Sequence, residues 1–220
     1  MWTLLRKDLL IELRTRETLA SLLLLGLLVL LTLSFALDAA GELRAAAAPG
    51  ALWVALVFAG VLGMHRSFLL ERENDCLEGL LLAPCDRGTL FLAKFVANFL
   101  FLAAAETVMV PVFVVFFDVT PDVALLRLAV VLLLGVAGFA GMGTLFAAIS
   151  VQTRAREVLL PLLLLPLSVP LLVAGVTASE VLLAGANFGS VRLWLAVLVA
   201  YDVVSLVVGW WLFEYAVTNP

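Results

Sequence analysis

Residues 128–150 read LAVVLLLGVAGFAGMGTLFAAIS, a run of 23 without a single Asp, Glu, Lys or Arg. A helix rises about 1.5 Å per residue, so such a run is long enough to cross about 30 Å of hydrocarbon. Working outward, five more segments have the same character. The spacing predicts spans at about 18–37, 51–70, 90–117, 123–150, 158–177 and 193–216 within a single transmembrane domain, 1–220. Over the whole chain 65% of residues are hydrophobic and only 14% are charged, where a soluble domain sits nearer half and a quarter. Lipid must therefore be the solvent for most of the chain. The predicted class is all-α, a polytopic membrane protein. A cleaved signal peptide is the rival reading of the first segment. Its charged prelude from Arg6 to Glu17 is too long and too mixed in sign, and its apolar run exceeds an h-region.

Lys and Arg set the orientation, whatever the net charge. Arg6, Lys7, Arg14, Arg16, Arg66, Arg72, Arg87, Lys94, Arg154 and Arg156 fall before the first span or in alternate connections, whereas the other connections hold only Arg44, Arg127 and Arg192. Basic residues accumulate on the cytoplasmic side. Both termini are therefore expected in the cytoplasm, with the chain a multi-pass protein of the cell inner membrane.

On that face, residues 2–17 read as a helix along the membrane surface, with Trp2, Leu5, Leu9 and Leu13 on one stripe. The alternative is a simple extension of the first span. The second connection is richer, running from Glu71-Arg72-Glu73-Asn74-Asp75-Cys76-Leu77-Glu78-Gly79 to Leu80-Leu81-Leu82-Ala83-Pro84. Asp75 and Glu78 are spaced as a capping box and Pro84 stops the helix they would start. About two turns result, with Leu77, Leu80 and Leu81 beside an acidic rim of Glu71, Glu73 and Glu78. Such a ridge could rest on lipid, but acidic flanks fit an anionic leaflet poorly. A groove on a protein partner suits it better. Asp86 is placed to cap the next helix, and Lys94 to anchor it at the interface.

Within the spans, Glu106 and Asp202 are ionisable groups at depth. Residues of that kind face a bundle interior or a cavity, serving either a transport path and gating contact or a protonated packing contact between helices. Ala137/Gly141 and Gly143/Ala147 are small-xxx-small pairs suited to close helix approach. Pro161, Pro166 and Pro170 predict a kinked or broken fifth helix, with Ser179 to Arg192 folding back as an external loop. Trp194, Trp210 and Trp211 mark the two interfaces of the last span. Cys76 and Cys85 read as reduced thiols, and His65 as a polar anchor rather than a ligand. No phosphate-binding glycine loop, zinc-helix motif or nucleophile elbow is present, so no catalytic residue, metal or directly bound cofactor is expected.

The surface helix, the six spans and the Glu71–Pro84 stretch together resemble export-type ABC permeases, in which such a stretch is the coupling helix that touches the ATPase. More narrowly, the chain resembles the haem exporter B family of cytochrome c maturation, CcmB, from about residue 3 to 215. The likeness lies in Arg6-Lys7-Asp8-Leu9 with Glu12-Leu13-Arg14, Pro49-Gly50-Ala51-Leu52-Trp53-Val54, Arg66-Ser67-Phe68, Leu77 to Pro84, and Pro161 to Pro170. The resemblance implies a permease subunit with Glu71, Glu73, Asp75, Leu77, Glu78, Leu80 and Leu81 docking a separate ATPase. ATP is then used by that partner, and haem is the cargo of the complex. It also implies a second copy of the chain, haem-handling membrane subunits C and D, and indirectly a periplasmic haem chaperone. No nucleic acid is expected. An export-type permease for a lipid or drug, or an ion-coupled secondary transporter using Glu106 and Asp202, stays open at this point.

Overall fold

Two residues that leave the right-handed region shape the entry of the chain into the bundle. Arg16 sits at φ 56° and Gly41 at φ 55°, each between two helices. The computed structural model describes residues 2–37, 41–67, 87–151 and 156–218. Every extended element among them is helical: α1 Trp2–Thr15, α2 Glu17–Leu37, α3 Glu42–Ser67, α4 Arg87–Phe116, α5 Val123–Val151, α6 Arg156–Leu183 and α7 Arg192–Thr218, with a 3-10 turn at Phe188–Val191. Six helices, all but α1, are long and apolar enough to cross a membrane. A helix pairs most of its backbone groups internally, the arrangement that hydrocarbon permits.

The helix ends follow from local chemistry. After α4 the chain reverses through Asp118 at φ 53°, and the Val119 N–H donates to the Val114 carbonyl at 3.1 Å. After α6, Gly185 at φ 89° makes the same closure, with Ala186 N–H to the Val181 carbonyl at 3.2 Å and Gly185 N–H to that of Leu182 at 3.0 Å. These bonds satisfy carbonyls that a helix end otherwise strands. Asp122 opens α5 by accepting from the Val123 N–H at 2.6 Å.

Two arginines finish the same end of the bundle. Arg44, at the start of α3, donates to the Phe116 carbonyl and stands 3.6 Å from the Asp118 carboxylate. Arg127 donates to the Ala186 carbonyl at 2.9 Å. Cations at helix C-termini complement the dipole there. Arg44→Ala is expected to cost about 1 kcal/mol, read as a drop of a few degrees in the thermal midpoint in detergent.

The second and fifth spans differ from their expected limits. The second long helix starts at Glu42, before the expected 51, and takes in Arg44, whose guanidinium donates to the Phe116 carbonyl. The fifth helix continues through Pro161, Pro166 and Pro170 to Leu183, and Ser179 is inside it. Ser179 is fully buried, with its hydroxyl donating to the Gly175 carbonyl at 2.7 Å. The connection between α6 and α7 is therefore only residues 184–191, shorter than the loop expected from Ser179 to Arg192.

Packing centres on α5, which touches α3, α4, α6 and α7, while α2 closes the far side against α3 and α4. The glycines of α5 explain its position, because two admit side chains from α3 and two admit side chains from α7. A Cβ at Gly135 would lie 2.1 Å from the Trp53 ring of α3 and one at Gly143 2.6 Å from Met64. One at Gly138 would lie 2.5 Å from the Asp202 carboxylate, and one at Gly141 2.6 Å from the Ser205 hydroxyl, both on α7. Where lipid is as apolar as the core, close approach of this kind holds helices together.

Candidate functional site

The docking segment expected from the sequence, Glu71, Glu73, Asp75, Leu77, Glu78, Leu80 and Leu81, lies outside the described residues. What the structure describes is the ground on either side of it. α3 ends at Ser67 and α4 begins at Arg87, so the segment joins two helices that both enter the core. The start of α4 is held firmly. Gly88 packs under Trp210 of α7, where a Cβ would come within 2.6 Å of the indole. One turn on, Phe91 meets Phe213 at 5.6 Å between ring centroids and fits over Gly209. Phe91, Phe95 and Phe99 continue as a stacked row along α4.

Lys94 completes this end. Its side chain is 6% exposed and its ammonium lies 2.9 Å from the Asp8 carboxylate, itself 11% exposed. Lys94 is thus a partner of the surface helix, beyond the interfacial anchor expected from its position. Asp8 also meets Lys7 at 3.2 Å. The next inward carboxylate on α1, Glu12, accepts from the Leu19 N–H at 2.7 Å and so caps the first turn of α2. Leu5, Asp8 and Glu12 share one face of α1 and turn toward the protein, whereas Trp2, Leu10 and Ile11 are exposed. At about 100° per residue this buried face is rotated by roughly 70° from the apolar stripe expected from Trp2, Leu5, Leu9 and Leu13. Specific partners for two carboxylates outweigh the burial of a stripe that lipid accepts equally well.

The two membrane carboxylates occupy separate places. Glu106 is 5% exposed on α4, and its Oε2 has no hydrogen-bond partner among the described residues. Asp202 faces the α5 glycines, with its Oδ1 against Gly138 and likewise without a hydrogen-bond partner there. Tyr201 beside it donates to the Leu167 carbonyl of α6 at 3.2 Å. No hydrogen bond joins Glu106 to Asp202 among the described residues. A buried polar contact between α4 and α5 is made by Asn98, whose amide donates to the Thr144 hydroxyl at 2.9 Å.

A cavity of about 20 Å³ lies between α3, α4 and α5, lined by Trp53, Leu102, Ala105, Met109, Val136 and Phe139 among others. Its volume is that of about one water, and its walls are apolar, so it is a packing defect rather than a solute site. Among the described residues no group of three His, Cys, Asp or Glu side chains is placed to hold a metal ion.

Two functional-looking residues escaped the reading of spans and loops. Trp53 is 2% exposed and wedged against both Gly135 and Gly175, its indole N–H donating to the Ser179 hydroxyl at 3.0 Å. Asp8 and its mate Lys94 are the other case. Both Trp53 and Asp8 fall in stretches that carry the family likeness, which was the available signal.

Comparison with known proteins agrees along the whole length. The family model described as CcmB protein matches residues 1–219. Heme exporter protein B of Rhodobacter capsulatus is 32% identical over 198 residues, covering 90% of this chain and 89% of its own. The Pseudomonas aeruginosa protein of the same name is 32% identical over 187 residues, 85% and 83% of the two chains. That of Bradyrhizobium diazoefficiens is 29% identical over 207 residues, 94% and 91%.

Proposed function

The chain belongs to the CcmB protein family, and on that footing we propose that it is the membrane permease subunit of an ABC complex that delivers haem for c-type cytochrome biogenesis. The observation that carries this reading is likeness through nearly the full length to proteins named as haem exporter B. Six membrane-crossing helices around a closely packed core support a transport component. ATP hydrolysis is assigned to a separate subunit, since the sequence has no phosphate-cradling loop. In this reading both termini and α1 are cytoplasmic, as the distribution of Lys and Arg favours. Glu71, Glu73, Asp75, Leu77, Glu78, Leu80 and Leu81 form the ATPase-docking helix. A second copy of the chain, membrane subunits C and D and, indirectly, a periplasmic haem chaperone complete the assembly.

The mechanism follows from mechanical linkage. Closure of an ATPase pair pushes the docking helix, which feeds directly into α4. Because Gly88 and Phe91 fit against Trp210, Gly209 and Phe213, a displacement of α4 carries α7 with it. Interiors packed this closely shift as bodies rather than deform. In this reading Glu106 and Asp202 serve a transport path or gating contact that a shift of α4 or α7 would open.

Deleting the gene should abolish holo-cytochrome c while the apo-polypeptides are still made, and a plasmid copy should restore it. Normal holo-cytochrome c in the deletion strain would refute the reading and favour a different cargo.

A further inference from the structure

We infer that Asp8 and Lys94 are positioning residues whose ion pair locks the surface helix α1 to the first turns of α4, so that α1, α2 and α4 move as one body when the docking segment is pushed. This rests on the reading of Glu71 to Leu81 as the ATPase-docking segment.

The argument begins with cost. A lysine and an aspartate held out of water are unfavourable unless paired, and two apolar side chains would join the same helices more cheaply. The pair nonetheless stands at 2.9 Å with both side chains nearly covered. What a charge pair supplies and an apolar contact does not is a unique register between the two helices. Lys94 lies seven residues into α4 from Arg87, about 10 Å along the axis from where the docking segment enters. It is therefore close to where force would arrive.

The second attachment of α1 makes the lock a strut. Glu12 uses both ends of its residue. Its carboxylate accepts from the Leu19 N–H at 2.7 Å, and its carbonyl accepts from the Arg16 N–H at 2.7 Å. The elbow at Arg16, left-handed at φ 56°, is thereby tied across, and α1 cannot swing freely on α2. One face of one surface helix thus carries Asp8 toward α4 and Glu12 toward α2. A helix that merely rested on lipid would turn its carboxylates to water. Here Asp8 and Glu12 are covered by the protein.

The test uses the full complex in native membranes, with D8N, K94M and the exchange D8K/K94D. The four readouts are the amount of chain in the membrane, ATPase retained on purification, ATP hydrolysis, and holo-cytochrome c formed. Each single variant is expected to keep the chain, the bound ATPase and its hydrolysis, while holo-cytochrome c falls about tenfold, because the charge pair that fixes α1 on α4 is lost. The exchange should recover at least half of it, since only the attraction between the two sites is at stake. Full holo-cytochrome c in either single variant overturns the inference. Where a single variant fails to accumulate, the exchange decides. Recovery of both accumulation and holo-cytochrome c supports the lock, and failure to recover either overturns it. Failure of the functional reading itself shows elsewhere, in an unmodified chain that retains no ATPase or a deletion strain with intact c-type cytochromes.

Discussion

Trp53→Ala is expected to lower the recovery of folded chain from membranes several-fold and its thermal midpoint in detergent by roughly 10 °C, a loss of about 3 kcal/mol. The indole is 2% exposed and lies on two glycines, where a Cβ would stand 2.1 Å away at Gly135 and 2.3 Å at Gly175. Removing it opens a void that α3, α5 and α6 share. Lipid is as apolar as the core, so the lost term is contact density rather than transfer from water. The Ser179 hydroxyl also loses its donor, although it keeps the Gly175 carbonyl as its own acceptor. Trp53→Phe should fall between wild type and alanine, because it retains most of the contact and forfeits the hydrogen bond. Gly135→Leu should reproduce the alanine defect from the opposite wall. Combining it with Trp53→Ala should recover part of the stability, because the new side chain enters the void. Wild-type yield and midpoint in Trp53→Ala would remove the indole from the role given to it here.

Substituting Glu71 and Leu80 together by alanine is expected to release the ATPase from purified complexes altogether. Leu80 belongs to the apolar ridge with Leu77 and Leu81, and burying one leucine contributes about 1.5–3 kcal/mol. Glu71 is on the acidic rim, where losing a paired charge adds about 1–2 kcal/mol. Together these weaken binding by roughly two orders of magnitude or more, enough to lose the partner during washing. The double variant should still insert, since neither residue lies in an apolar segment expected from the sequence. Co-purification of the ATPase at the wild-type level would remove the segment from its proposed role, leaving the family assignment untouched.

Most of the architecture was legible because lipid imposes a simple rule: long uncharged runs cross, and charged clusters divide them. The exceptions have physical causes. Arg44 appeared to exclude residues 43–50 from the second span, but its guanidinium meets the Phe116 carbonyl, a partner 72 residues away. Ser179 was expected to open the loop after the fifth span, yet it bonds to Gly175 and Trp53 inside the helix. Glycine was read correctly as a packing residue in α5, but which helix each one admits depends on long-range register. Gly138 receives Asp202, so one carboxylate suspected from depth alone is a packing neighbour of that glycine. Asp8 and Glu12 were hidden for a different reason. Periodicity weighs only hydrophobicity, and a face chosen by two partnered carboxylates leaves no trace in it.

The wedge at Trp53 has a consequence for how the chain is made. Its hydroxyl partner is 126 residues downstream, so α3 leaves the ribosome and inserts well before Ser179 exists. Until α6 arrives, the indole N–H has no mate at that site and the Gly135 notch has only one of its walls. The nascent intermediate of α2 to α5 is thus incomplete by construction, and consolidation waits for the second half of translation. A pause or truncation before residue 179 should leave an inserted but loosely assembled species, open to membrane proteases.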